Sequence, residues 1–460
     1  MTFIIATAVF LVFWILTLDW GALGEFALLL GIGCLIVRLT CKCKKESRID
    51  ALKIYTLLML YYGAYAFLCH AYRMYHGFEA IGSMDGPGYY LPCTMELFDS
   101  QSLKELIIRI SERDRYSGGG SIFIYFVAIA RLAKNYLHTD LHLAIQLSLM
   151  PFAAMACVVE YHLLKRFDIP PSEAYKWSIG FGLFSALFGL SSFIVRDLPI
   201  ILAYFLITYL IFSPAPRWQR VLWLGGVGTI IAGSIRVASG VGMIPLLLLA
   251  VFCDPKKGTI KYWQLGLCVA VVILMGWLEF AMDELAKVSQ IYLDIELRDQ
   301  DGNSLLSSFN ALPFGISHFV KTVYAQFHPV PVWRNMTASA AVGYRDYAYN
   351  ITKFPDFWVV FFRITGVVVL FYGCLKGEIR RKVFQHKTLL YSFIYIVLWM
   401  MLQASTIEER RKLGGYAILF TVAVLFWREM PRVSRIRALL LSLAIFASVQ
   451  LVFLLRVVLQ

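Results

Sequence analysis

Long apolar runs with almost no charge recur from the first residues of the chain to its last. A helix needs about 20 mostly apolar residues to cross the hydrocarbon core of a bilayer, with a range of about 17–25. The runs that meet or approach this length are Thr2–Leu18, Ala22–Val37, Ile54–His70, Leu141–Leu164, Ala174–Ile194, Leu198–Phe212, Val221–Ile235, Val237–Phe252, Gln264–Met282, Phe357–Leu375, Leu389–Gln403, Tyr416–Trp427 and Ala438–Leu455. The pattern predicts an all-α, polytopic transmembrane protein with about 13 spans.

The amino-acid composition also predicts that this chain lies in a lipid bilayer. Of its 460 residues, 59% are hydrophobic and 16% charged, whereas soluble domains average about 45–50% and about 25%. A soluble enzyme, a disordered chain and a fibrous protein are therefore excluded. The net charge of +13 does not indicate a nucleic-acid partner, because no basic run alternates with aromatics as a stacking platform would need.

The basic residues instead predict the orientation in the bilayer. Every second loop between apolar runs is basic: Arg38 to Arg48, Lys165/Arg166, Arg217/Arg220, Lys256/Lys257/Lys261, Lys376 to Lys387 and Arg428 to Arg437. Basic loops remain on the cytoplasmic side of a membrane. The N-terminus is therefore expected in the cytoplasm, and the two long segments 71–140 and 283–356 outside it.

This topology divides the chain into four regions. They are two N-terminal spans with a basic cytoplasmic loop (1–50), a transmembrane core with its extracytoplasmic loop (51–282), an extracytoplasmic segment (283–356) and the C-terminal spans (357–460). In the first external loop, Ser102–Glu112 has apolar residues at helical spacing with charges between them, which predicts a helix lying along the membrane interface. Ser121–Ala133 is too short for an ordinary span and is expected to be a second surface helix or a re-entrant one.

Asp85 is the first candidate functional residue. It lies in SMDGPGYY, just after the third apolar run, where glycines and a proline let the backbone approach a ligand. The alternative is a solvated turn residue, since Asp-Gly is a common turn pair.

Further ionisable residues lie at other external helix ends, where charge near apolar sequence marks functional candidates. Arg196 and Asp197 precede an apolar run, and Asp197 could equally cap that helix. Arg236 separates two apolar halves and needs an anion, either a carboxylate or a phosphate. Arg410 and Arg411 lie in the sequence EERRK, where a phosphate site and pairing with the two glutamates are both open.

The combined pattern fits chemistry on a lipid phosphate at the outer membrane face. A carboxylate such as Asp85 or Asp197 can deprotonate a hydroxyl or hold a divalent cation, Mg²⁺ or Mn²⁺. Arg196, Arg236, Arg410 and Arg411 can stabilise charge on a leaving phosphate. No P-loop is present, so an ATP-driven reaction is not expected.

The order of these elements resembles the GT-C superfamily of polytopic glycosyltransferases, especially aminoarabinose transferases and protein O-mannosyltransferases. Those families carry an acidic residue in the first external loop, often as Asp-x-x-x-Tyr, which Asp85 and Tyr89 match. Interfacial helices come next in those families, and Ser102–Glu112 and Ser121–Ala133 resemble them. The first motif lacks the adjacent acidic residue common in those families.

The resemblance continues over about residues 55–282. A second aspartate at the next external turn matches Asp197, and a glycine-rich helix pair around a cation matches GGVGTIIAGSIRVASG with Arg236. It implies a polyprenyl-phosphate-linked sugar donor, a glycan or lipid acceptor, and transfer at the outer face of a membrane. The residues expected to contact the sugar or the acceptor are Tyr89, Tyr90, His328 and Trp333.

Two other functions stay open on the sequence alone. A polymerase of lipid-linked polysaccharide repeat units needs the same cations for a pyrophosphate leaving group. A transporter or flippase would show two related halves with broken helices near the bilayer midplane, and no such repeat is found. In a bacterium, the glycosyltransferase would lie in the inner membrane with its site facing the periplasm.

Overall fold

The described residues fold mainly into helices. A computed structural model describes residues 2–40, 45–77, 80–81, 89–112, 120–213, 217–252, 261, 264, 266, 270, 312–327, 347–348, 354–402 and 412–459. Within these residues, the only strand pairing is a two-residue parallel bridge of β1 (Ala80–Ile81) with β2 (Tyr347–Ala348).

In chain order, the first ten described helices are α1 (Thr2–Ile15), α2 (Trp20–Thr40), α3 (Lys45–His76), α4 (Leu91–Phe98), α5 (Leu103–Ser111), α6 (Ile122–Leu132), α7 (Leu141–Lys165), α8 (Pro171–Phe184), α9 (Ala186–Leu190) and α10 (Asp197–Ile211). The others are α11 (Arg217–Gln219), α12 (Val227–Ile235), α13 (Val237–Phe252), α14 (Phe314–Ala325), α15 (Asp356–Leu375), α16 (Gly377–Val383), α17 (Lys387–Leu402), α18 (Tyr416–Glu429) and α19 (Arg432–Leu459). Residues Ala133–Leu137 and Arg220–Gly226 form π-helical turns, and Leu413–Gly415 forms a 3₁₀ turn.

Five of the described helices are long and apolar enough to cross a membrane. They are α2, α3, α7, α15 and the stretch Arg432–Val452 of α19, and each contains or overlaps one of the apolar runs seen in the sequence. The expectation of a helical chain with membrane-spanning segments is confirmed to this extent. Shorter apolar helices occur at Thr2–Ile15, Asp197–Ile211, Arg220–Ile235, Ser239–Phe252 and Lys387–Met401.

The apolar run Ala174–Ile194 is interrupted, although the sequence predicts one continuous span. Ser185 has an extended backbone that ends α8, and its hydroxyl accepts the Leu187 N–H to begin the short helix α9. The chain then turns and α10 begins at Asp197. Serine competes for backbone hydrogen bonds in this way, which favours helix ends over helix interiors. Arg196 lies in that turn, and Asp197 is the first residue of α10.

Two compact units can be distinguished. Unit 1 comprises Met1–Leu206, Ile230–Gly240 and Val332–Val359, and unit 2 comprises Ile207–Thr229, Val241–Pro331 and Val360–Gln460. In unit 2, the Tyr416 hydroxyl donates to the Gln326 side chain at 2.7 Å and the Tyr395 hydroxyl to the Gly242 carbonyl at 2.6 Å. The four regions derived from topology stay a prediction.

Helices α3 and α7 form an antiparallel pair that spans the core of unit 1. Near one end the Tyr161 hydroxyl donates to Asp50 at 3.2 Å, and near the other end Arg73 pairs with Asp140 at 2.7 Å. Most of the residues between these contacts are buried on both helices. Helices α1, α2, α6 and α8 pack against this pair.

Helix α6 packs beside α7 as the second arm of a hairpin. The Tyr125 hydroxyl donates to the Ser148 carbonyl at 2.7 Å, and the Tyr125 ring contacts Phe152. Ser148 lies about 12 Å along α7 from Asp140, at 1.5 Å per residue. The two alternatives for this apolar run, a surface helix and a re-entrant one, both stay predictions.

Close packing of α2 on α3 depends on Gly33, which lies against the ring of Tyr55. The Tyr55 hydroxyl also donates to the Leu29 carbonyl at 3.1 Å, so the ring cannot move away without losing that bond. Gly31, on the same helix, has open space where a side chain would begin.

We expect Gly33→Ala to destabilise the protein by about 1–3 kcal/mol, the usual cost of overpacking a core. Gly31→Ala is the matched control and should be neutral or slightly stabilising, because alanine favours a helix over glycine. Unfolding by SDS in mixed micelles measures both. Equal stability of the two variants would show that α2 does not pack closely on Tyr55.

Candidate functional site

Arg196, Asp197 and Arg236 come together in unit 1. One Arg236 guanidinium nitrogen lies 2.7 Å from the Asp197 carboxylate, across 39 residues of sequence. Arg196 donates to the carbonyl of Ile235, at 3.4 Å. The start of α10 therefore meets the junction of α12 and α13.

The Asp197–Arg236 ion pair is shielded from solvent. Asp197 is 1% exposed, and the Arg236 side chain is 16% exposed. A carboxylate thus serves as an anion for Arg236, which is one of the two alternatives left open by the sequence. Arg196 adds a second guanidinium, so these three side chains carry one net positive charge.

The N-terminal end of α6 reaches the same place. The Ser121 hydroxyl donates to the Ser234 hydroxyl at 2.9 Å, and the Ser121 N–H to the Ser234 carbonyl at 3.4 Å. Ser234 lies two residues before Arg236. These serines were not singled out by the sequence, because isolated serines in apolar runs carry no pattern that predicts a contact.

Aromatic rings line the neighbouring part of α6. Tyr89 lies 5.6 Å from Phe123, and Tyr90 lies 5.7 Å from Phe126, between ring centroids. Tyr89 and Tyr90 themselves contact each other edge to face at 5.2 Å. The two predicted sugar-contacting tyrosines thus lie together against α6, whose N-terminal end contacts Ser234, two residues before Arg236.

Several predicted site residues lie outside the described part of the chain. These are Asp85, His328, Trp333, Arg410 and Arg411. Their assignments stay predictions from the sequence.

A second polar cluster, not predicted from the sequence, lies where α3 ends and α7 begins. Arg73 pairs with Asp140, and its guanidinium lies 3.4 Å from His70 Nδ1. His142 is buried beside them. Arg73 lies three residues beyond an apolar run and has no distinctive sequence context. Its role becomes visible only through its partner Asp140, which lies 67 residues away.

Asp140 also caps α7 by accepting the Leu143 N–H at 3.0 Å. Burial would raise the pKa of the Asp140 carboxyl, but the Arg73 guanidinium and the Leu143 N–H outweigh it and hold that pKa below its ordinary value. The ion pair therefore stabilises the fold at neutral pH, and this stabilisation is lost as the pH falls through the lowered pKa. The cluster holds the α3–α7 pair together.

No group of three His, Cys, Asp or Glu side chains converges on a metal position within the described ranges. Asp197 does not fit the predicted metal role, because a guanidinium 2.7 Å from its carboxylate would repel a divalent cation. Asp85 lies outside those ranges.

Comparisons with protein-family models, curated protein sequences and solved structures give no significant match for this chain. The site must therefore be interpreted from its own chemistry.

We expect Asp197→Ala and Arg236→Ala each to destabilise the protein, because each leaves a buried charge without its counter-charge, at about 3–5 kcal/mol. The double variant should lose less than the sum of the two, with a coupling of about 0.5–3 kcal/mol. Unfolding in SDS of the wild type, the two single variants and the double variant gives the double-mutant cycle. Additive losses would mean that the two side chains do not interact.

Proposed function

We propose that this protein is a membrane glycosyltransferase. It transfers a sugar from a polyprenyl-phosphate-linked donor to a glycan or lipid acceptor at the extracytoplasmic face. The observation that supports the proposal most is the cluster of Arg196, Asp197 and Arg236, held in unit 1 beside the end of α6, which also packs against Tyr89 and Tyr90. A site for a sugar phosphate needs cations that bind the phosphate and aromatic rings that contact the sugar.

The guanidiniums are suited to the phosphate of the donor. Arginine forms paired hydrogen bonds with phosphate oxygens and stays charged when it is partly buried. With Asp197 neutralising one of the two, the remaining positive charge matches an anionic ligand. The same charge would stabilise the phosphate as it leaves, and electrostatic stabilisation of this kind usually contributes more to the rate than any other single effect.

Asp197 acts through Arg236 in this proposal. Its carboxylate accepts a hydrogen bond from the Arg236 guanidinium at 2.7 Å, and this bond fixes the orientation of the Arg236 side chain. A carboxylate that is already paired is a poor base, so Asp197 is a positioning residue. The predicted catalytic base is Asp85 alone.

In the transfer step, the acceptor hydroxyl oxygen bonds to the anomeric carbon of the sugar while the bond from that carbon to the phosphate oxygen breaks. The hydroxyl proton passes to the Asp85 carboxylate, and the polyprenyl phosphate leaves with the bonding electrons. Tyr89 contacts the sugar or the acceptor, and Tyr90, which is 3% exposed, packs behind it against Phe126. Arg410, Arg411, His328 and Trp333 are further proposed contacts to the phosphate and the glycan.

The location of the site also suits a lipid-borne substrate. Helix α6 contacts α7 at Ser148, about 12 Å along the helix from Asp140. The start of α6, which contacts Ser234, lies still further from Asp140 along the direction of α7 than Tyr125 does. A donor whose prenyl chain lies in the bilayer can bring its phosphate to such a recessed position. In a bacterium this site would face the periplasm from the inner membrane.

The proposed base is tested by a matched pair of variants in a strain that lacks the protein. Asp85→Asn keeps the size of the side chain but removes the base, so glycan product should fall about 10²–10⁴-fold. Asp99→Asn, at the C-terminal end of α4 in the same loop, should leave the product unchanged. Full activity of Asp85→Asn, or equal loss in both variants, would refute the assignment of the base.

The lipid-linked material in the same strains, analysed by mass spectrometry, tests the reaction class. Accumulation of a carrier with one sugar supports the proposed single transfer. A carrier with a repeat unit would indicate a polymerase instead, and an unchanged lipid pool with a substrate left on one side of the membrane would indicate a transporter.

A further inference from the structure

Glu25 is an ionisable residue inside a helix that is long and apolar enough to cross the membrane. It lies in α2, close to one turn from that helix's first residue, and is 1% exposed. Among the described residues, neither of its carboxyl oxygens has a hydrogen-bond partner, and no salt bridge involves it. Helix α2 packs against α3 and α7, so Glu25 is enclosed by protein.

An ionised carboxylate in this setting is strongly disfavoured. Transfer of an unpaired charge from water to an apolar interior costs so much that the group takes up a proton instead. The carboxyl groups of other described residues show the contrast: Asp140 and Asp197 are each held by an arginine. Glu25 has no such partner, and the neutral acid form is the one that its surroundings allow.

Asp19 at the start of α2 and the Tyr125 hydroxyl of α6 lie within electrostatic range of Glu25. Among the described residues, cations on the elements packed against α2 interact elsewhere: Arg73 and His70 lie beside Asp140, and the Lys134 ammonium lies over the Phe98 ring. On α7, which packs against α2, Gln146 is fully buried and its amide oxygen and nitrogen have no hydrogen-bond partner among the described residues. On α3, Tyr55 donates to Leu29 one turn further along α2. Neither of the two groups within electrostatic range of Glu25 is a cation.

We propose that Glu25 is a proton-binding site within the membrane-embedded part of unit 1. Its ligand is a proton, held on the carboxyl at neutral pH while α2 stays packed on α7. Loss of that proton would leave a buried negative charge, so release requires water to reach this part of α2. The site is separate from the proposed transfer reaction and does not depend on it.

A lipid-soluble carbodiimide tests the proposal directly, because it reacts with protonated carboxyls in apolar surroundings. The carboxyl proton moves to a nitrogen of the reagent while the carboxyl oxygen bonds to its central carbon, and the adduct rearranges to a stable acylurea. Full-length protein in membranes at neutral pH should carry this adduct on the peptide that contains Glu25. Glu25→Gln should lose it.

Glu160→Gln is the matched control, because Glu160 is a second fully buried glutamate, on α7. The adduct on the Glu25 peptide should persist in that variant. A water-soluble carbodiimide should leave Glu25 unmodified, and equal reaction with both reagents would show that the carboxyl lies in water, which overturns the proposal.

Infrared spectroscopy gives a second measurement that does not depend on reagent access. The wild-type spectrum minus that of Glu25→Gln at neutral pH should show the carbonyl band of a protonated carboxyl, which removes any contribution of Glu160, and the variant should retain normal unfolding in SDS. If the two spectra are the same in that region, Glu25 is ionised and the proposal is wrong.

Discussion

The cost of placing charge in an apolar environment controls how this chain is organised. Among the described residues, two ion pairs that each hold one buried partner join elements that are far apart in sequence: Arg73 with Asp140 and Arg236 with Asp197. The first holds α3 against α7 at one end of the pair, and the second joins the start of α10 to the α12–α13 junction. Removal of Asp140 or of Arg236 leaves the buried charge of its partner, Arg73 or Asp197, without a counter-charge.

These two pairs have different consequences for function. Asp140 also caps α7, and one arginine balances one carboxylate beside two histidines. The pair at Asp197 includes a further guanidinium, Arg196, and therefore an excess of positive charge. Only the second arrangement can receive an anion without first breaking its own ion pair. The proposed function is therefore assigned to the Asp197 cluster, whereas the Asp140 cluster has a structural role.

The lengths of the apolar runs and their helical structure could be predicted from the sequence, because both depend on local composition. Five apolar runs correspond to helices of spanning length. The break after α8 was missed, since it depends on Ser185 taking an extended backbone, and a single serine gives no such signal. Asp197 and Arg236 were selected as candidates, but their direct contact depends on packing across 39 residues. Tyr89 and Tyr90 were selected too, whereas their partner Phe123 looked like one apolar residue among many.

The central claim is that the Arg196–Arg236 cluster holds the phosphate of a polyprenyl-linked donor. A polyprenyl phosphate carrying a photoreactive diazirine beside its phosphate measures this directly in the purified, full-length protein. We predict crosslinks on the peptides that contain Arg196 or Arg236, displaced by excess unlabelled polyprenyl phosphate. Crosslinks confined to other peptides, or crosslinks that the unlabelled lipid does not displace, would contradict the account.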